Sequence, residues 1–124
     1  MGFALMIVDD SATMRKIIMR TVRMAGLTAE RTEEAGNGTE ALEKLNQSPV
    51  DMMLVDINMP GMSGVELVKK VREIPACSAT KIIMVSTESS QEFIDNLIAL
   101  GANGYITKPF TPENFQKQLA QFAS

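Results

Sequence analysis

With 124 residues, no histidine and a single cysteine, Cys77, the chain excludes Ser-His-Asp and Cys-His catalysis, His-ligated zinc and an intrachain disulfide. Its 45% hydrophobic and 22% charged content is that of one globular domain, and a net charge of −3 gives no basic footprint for nucleic acid. No apolar run is long enough to cross a bilayer, "MGFALMIVDD" lacks a basic leader and cleavage site, and one reduced cysteine fits a cytoplasmic home.

"FALMIV" (3–8) reads as a buried strand, nearly continuous in apolar residues, that ends on Asp9-Asp10. Ser11 is placed to cap a helix whose inner face carries Met14, Ile17, Ile18, Val22 and Ala25, stopped near Gly26. Arg15, Lys16, Arg20 and Arg23 fall on the other face, which is expected to be solvated. Residues 28–35, "TAERTEEA", are expected as a strand because the alternation requires one, and their polarity places it at a sheet edge. Asn37-Gly38 marks a turn before a short helix carrying Ala41, Leu42 and Leu45.

"VDMMLV" (50–55) is the third strand, followed by a helix from Val65 to Arg72 with Leu67, Val68 and Val71 inward. "KIIMVS" (81–86) is the fourth. Phe93, Ile94, Leu97 and Ile98 mark a helix stopped at Gly101, and "GYIT" (104–107) is the last short strand. Thr111 caps a final helix with Pro112 at its first position and Phe115, Leu119 and Phe122 facing inward. Strand then helix, five times over, argues a parallel α/β sheet covered on both faces, with right-handed crossovers. Ten methionines read as core filler, since Met14, Met19 and Met24 trace no single helical face. Cys77 falls in the connection before the fourth strand and is expected to be inert.

In an open α/β sheet, ligands bind outside the carboxyl ends of the strands, where the strand order reverses. There this chain places Asp9 and Asp10, Asp56, Ser86 and Thr87, and Lys108-Pro109. Asp9 and Asp10 taken alone could serve only as acids at a helix N-terminus. Three carboxylates converging on one point would instead repel each other unless a cation sat among them, and hard oxygen ligands with room for a phosphate describe a Mg²⁺ site. Lys108 adds a compact positive charge and Ser86 or Thr87 a hydroxyl. Such a set can stabilise a phosphoryl group on a carboxylate oxygen, because phosphoryl transfer is catalysed mainly by positioning and charge neutralisation.

Four segments, "VDDS" (8–11), "VDINMPGMSG" (55–64), "MVST" (84–87) and "YITKPF" (105–110), carry a resemblance that runs essentially from end to end. The chain resembles the receiver domains of two-component response regulators, chemotaxis receivers above all. The resemblance implies one receiver domain over residues 1–124 without an output domain: a flavodoxin-like (β/α)5 fold with strand order 2-1-3-4-5. It implies Asp56 as phosphoacceptor, with Asp9, Asp10, Asp56 and the Asn58 backbone carbonyl around Mg²⁺ (Mn²⁺ as a substitute), Asp9 acting largely through water. Ser86, Thr87, Lys108 and Tyr105 would bind or report the phosphoryl group, Asn58 and Glu88 would tune its hydrolysis, and Lys108-Pro109 would be cis.

The implied donor is a histidine kinase, with small phosphodonors also competent. The implied readers are a flagellar motor switch protein or a phosphatase, engaged by a monomer over residues 90–100, 103–107 and 112–122. A phosphorelay carrier passing phosphate to a histidine phosphotransferase is the alternative. Gln91 and Gln118 stand where motor-binding receivers tend to carry lysines, and Thr87 replaces the usual small residue beside the phosphoryl entrance. A receiver cut from a longer regulator is disfavoured by "QKQLAQFAS", read as closing the last helix without a linker. A dehalogenase-like phosphatase is disfavoured by the missing D-x-D pair.

Overall fold

Side chains along a strand alternate between the two faces of a sheet, and here both faces are apolar. The computed structural model describes residues 3–88 and 90–120. In chain order the elements are β1 (Ala4–Val8), α1 (Ala12–Met24), β2 (Arg31–Ala35), α2 (Gly38–Gln47), β3 (Met52–Asp56) and α3 (Gly64–Arg72). A 3₁₀ turn (Pro75–Cys77) leads to β4 (Lys81–Ser86), α4 (Gln91–Leu100), β5 (Gly104–Thr107) and α5 (Pro112–Leu119). The five strands form one parallel sheet in the order β2-β1-β3-β4-β5, the flavodoxin-like arrangement.

Leu5 and Ile7 of β1, Met52 and Leu54 of β3, and Ile83 and Val85 of β4 pack beneath α1 and α5 with Ile18, Val22, Phe115 and Leu119. Their neighbours Met6, Val8, Met53, Val55, Ile82 and Met84 face the opposite way, against Ala41, Leu45, Leu67, Val68 and Leu97. Each such side chain contributes about 1.5–3 kcal/mol when fully buried, so the two layers dominate stability. β2, the polar segment, is an edge strand as its composition required.

Helix starts follow local chemistry. Ser11, Asn37, Ser63, Ser90 and Thr111 each accept a hydrogen bond from a backbone N–H three residues on. Asn37 is thus a cap, and Gly38 is the first residue of α2, where a turn was expected. One apolar residue assigned to an inner face points outward: Ile17 is 43% exposed. The buried stripe of α1 is Ile18, Thr21, Val22 and Ala25; Ile17 lies at its margin, beside a surface hollow shared with Met14, Thr87, Lys108, Pro109 and Phe110. Phe122 lies outside the described residues.

One arginine ties the far end of the sheet together. Arg72, at the end of α3, donates to the carbonyls of Cys77, Thr80 and Gly101 and to the Asn103 side chain at 2.8–3.1 Å. Cys77 is fully buried there, and burial pushes its thiol pKa up. Among the described residues no helix is long and apolar enough to cross a membrane.

Candidate functional site

Strand register gathers the site. Val8 pairs with Val55, so Asp9, just past β1, comes beside Asp56 at the end of β3. Asp56 pairs in turn with Val85 of β4, and Ser86 pairs with Thr107 of β5, one residue before Lys108. The Lys108-Pro109 peptide is cis.

Asp9, Asp10 and Asp56 each offer a carboxylate oxygen, all within 4.8 Å of one another. Asp9 and Asp56 are buried, at 2% and 6% exposure, while Asp10 opens to solvent. Lys108 Nζ reaches Asp56 Oδ1 at 3.2 Å. Asp9 Oδ1 accepts the Ser11 N–H at 2.9 Å, whereas Asp9 Oδ2 is buried with no hydrogen-bond partner. A carboxylate oxygen left so costs free energy in a folded protein.

Burial raises the Asp9 pKa above its ordinary value; the Ser11 N–H opposes the rise, Asp56 adds to it, Lys108 opposes it and Asp10 adds to it. A divalent cation would relieve both the orphaned oxygen and the crowded charge. The donor set, hard oxygens open to solvent on the Asp10 side, fits Mg²⁺.

The loop after β3 is shaped by two glycines with different tasks. Gly61 has φ of +75°, a backbone state costly for other residues. Gly64 opens α3 against the strand it follows: a Cβ there would lie 2.6 Å from the Asp56 carbonyl oxygen and 2.8 Å from Ile57 Cα. Of the two, Gly61 alone turns the chain through a positive φ. Between them and β3, Asn58 is exposed, and its carbonyl accepts no hydrogen bond from the described residues.

Ser86 is buried at 1% exposure and its hydroxyl accepts the Glu88 N–H at 3.2 Å. Tyr105 is turned inward, 9% exposed, and its hydroxyl donates to the Glu88 backbone carbonyl. Burial raises the Tyr105 pKa, with the neighbouring Ser86 hydroxyl pulling it down and Glu88 pushing it up. Thr87 is exposed beside Lys108 at the mouth of the site.

Sequence reasoning missed Arg15. Assigned to a solvated face, it donates from Nε to Glu34 Oε1 at 2.8 Å and from Nη1 to the Asp9 carbonyl at 2.6 Å. The available signal was weak: an Arg one turn beyond the acidic pair, with its partner nineteen positions away on a strand whose register the sequence does not reveal.

A doubly wound parallel sheet with three acids and a lysine at its carboxyl edge defines a class. Residues 5–120 match the response regulator receiver domain family, and the chain belongs to it. Among its relatives it is 41% identical over 116 residues to the chemotaxis protein CheY1 of Helicobacter pylori, covering 93% of this chain and 92% of that one. It is 37% identical over 115 residues to the chemotaxis protein CheY of Pseudomonas aeruginosa, covering 93% and 91%. The crystallised chemotaxis response regulator CheY4 of Vibrio cholerae superposes with a TM-score of 0.86 at 37% identity, over 98% of this chain and 99% of that one.

Proposed function

We propose that the chain is a receiver that takes a phosphoryl group onto Asp56 from the phosphohistidine of a kinase and thereby changes which partner it binds, in chemotactic signalling. The observation that carries this reading is the contact of Lys108 Nζ with Asp56 Oδ1 at 3.2 Å, at the edge of a cluster holding the unpartnered Asp9 Oδ2. Asp9, Asp10, Asp56 and the Asn58 carbonyl would hold Mg²⁺, which when bound neutralises charge on the phosphoryl oxygens.

In the forward step an Asp56 carboxylate oxygen forms a bond to phosphorus. The donor's P–N bond breaks and its electron pair returns to the imidazole nitrogen. Lys108 meets the incoming negative charge, and the ion pair it now makes with Asp56 is exchanged for one with a phosphoryl oxygen. In the reverse-facing hydrolysis, water attacks phosphorus, the O–P bond breaks, and Asp56 regains its carboxylate as inorganic phosphate leaves. Asn58 and Glu88 flank that water's approach, and Thr87 narrows it.

The switch lies behind the site. Ser86, drawn toward the phosphoryl group, would give up its bond with the Glu88 N–H and so alter the segment that Tyr105 holds by its carbonyl. A ligand shifts such an equilibrium only by its difference in affinity for the two arrangements. The relatives are chemotaxis proteins by name, and the reader proposed on that footing is a motor-switch protein or a phosphatase.

Intact mass after incubation with Mg²⁺ and acetyl phosphate tests the reading. One phosphoryl adduct is expected on the wild type and none on Asp56→Asn or without metal. An adduct surviving in Asp56→Asn, or none on a wild type that binds Mg²⁺, sinks it.

A further inference from the structure

We propose that Arg15, tethered by Glu34, is a positioning residue for the candidate cation site, acting through the backbone of Asp9. The inference rests on the reading of that site as one for Mg²⁺.

Asp9 has few free atoms. Its N–H donates to the Ala35 carbonyl at 3.1 Å, and its Oδ1 accepts from Ser11 at 2.9 Å. Its carbonyl receives Arg15 Nη1 at 2.6 Å. With amide, carbonyl and one carboxylate oxygen all committed, Oδ2 alone has no hydrogen-bond partner, and its position is set by the other three. Arg15 uses separate nitrogens for its two partners, Nε for Glu34 and Nη1 for Asp9. A lysine has a single donor centre and cannot reproduce that split fork. Glu34 is itself held, because the Lys44 ammonium donates to its backbone carbonyl. The chain of contacts therefore runs from α2 through β2 and α1 to Asp9.

Charge and geometry here act in opposite directions. A guanidinium near a cation site repels the cation, so on Coulomb grounds alone its removal tightens Mg²⁺. If Arg15 acts by fixing Asp9, its removal weakens Mg²⁺ instead. Outer-shell partners of metal ligands typically contribute about 10–100-fold in affinity.

The test is calorimetric titration of Mg²⁺ into wild type, Arg15→Gln, Arg15→Lys and Glu34→Gln at neutral pH and constant ionic strength. Metal-free melting curves of each are recorded alongside. We expect Kd to rise about tenfold in both Arg15 variants and a few-fold in Glu34→Gln, whose carboxylate is half-exposed. A purely structural role would lower the metal-free melting temperature and leave the Kd of folded protein unchanged, which overturns the proposal. Tighter binding in Arg15→Gln, or wild-type affinity in Arg15→Lys, also overturns it, since charge would then decide. Wild-type Kd in Glu34→Gln removes the tether. Should an Arg15 variant fail to fold, Glu34→Gln carries the test alone. If wild type itself binds no Mg²⁺, the reading of the site fails first, and the role of Arg15 with it.

Discussion

Gly64→Ala is a single methyl placed where α3 leaves the phosphoacceptor strand. Helix propensity alone makes it stabilising, by up to about 1 kcal/mol. The geometry argues the reverse. The new Cβ would stand 2.6 Å from the Asp56 carbonyl oxygen and 2.8 Å from Ile57 Cα. Carbon and oxygen ordinarily approach no closer than about 3.3 Å, so the helix start must retreat by roughly 0.7 Å. Both obstructing atoms are backbone, at the end of a strand buried throughout, and neither can rotate away.

Forcing a methyl into packed structure costs about 1–3 kcal/mol, and a net loss near 2 kcal/mol lowers the melting temperature by about 8 °C at this size. Thermal and urea unfolding with an unchanged m-value would measure it, and because the collision falls on Asp56 itself, Mg²⁺ affinity should fall too. Gly61→Ala is the control. It meets nothing within 4 Å but must hold φ of +75°, so it should cost about 1 kcal/mol of stability and leave Mg²⁺ affinity alone. A Gly64→Ala protein as stable as wild type, or more so, would refute the close-packing account.

Three further expectations concern charge, access and anchoring. The folded chain keeps a proton on Asp9 that the unfolded chain releases near 3.8, so metal-free stability should fall as pH rises from there through the raised folded-state value, and stay lower above it. Melting curves across that range should show the step in wild type, its flattening in Asp9→Asn, and recovery on adding Mg²⁺ at pH 7. Thr87→Ala, which opens the mouth beside Lys108, should quicken both acetyl-phosphate labelling and adduct loss by several-fold; unchanged rates by quenched intact mass would show that the Thr87 side chain is no barrier. Arg72→Ala strips one donor group from three carbonyls and the Asn103 side chain, and should cost about 2 kcal/mol in urea unfolding without changing adduct formation.

The fold was legible because four apolar runs separated by amphipathic stretches, with one polar segment where the alternation requires a strand, leave few other arrangements. β4 and β5 match their expected bounds, "KIIMVS" and "GYIT". Helical spacing identified the inner stripes but not their margins, since residues about 100° apart share an edge; Ile17 was lost there. The acids at the strand ends were visible as types, yet nothing in "VDDS" says that Asp9 is buried and Asp10 exposed. That follows from pairing with β3. Arg15 was misplaced for the same reason, since Glu34, which holds it against the Asp9 carbonyl, lies on β2. Tyr105 was expected as a reporter, but its inward seat under Glu88 depends on side-chain packing that no periodicity encodes.

α4 is the shallowest-seated helix of the five. It buries Leu97 fully, with Phe93 and Ile94 only partly covered, whereas α3 buries Gly64, Leu67, Val68 and Val71. Its far end is pinned by Arg72 at Gly101, and its near end adjoins the segment gripped by Ser86 and Tyr105. Helices held by so little apolar surface open locally, at a free energy well below that of global unfolding. In deuterium exchange the α4 amides should therefore label long before those of β3. On the proposed reading, a phosphoryl group need redistribute only this small local reserve to reshape the outer surface, while the sheet that carries Asp56 stays untouched.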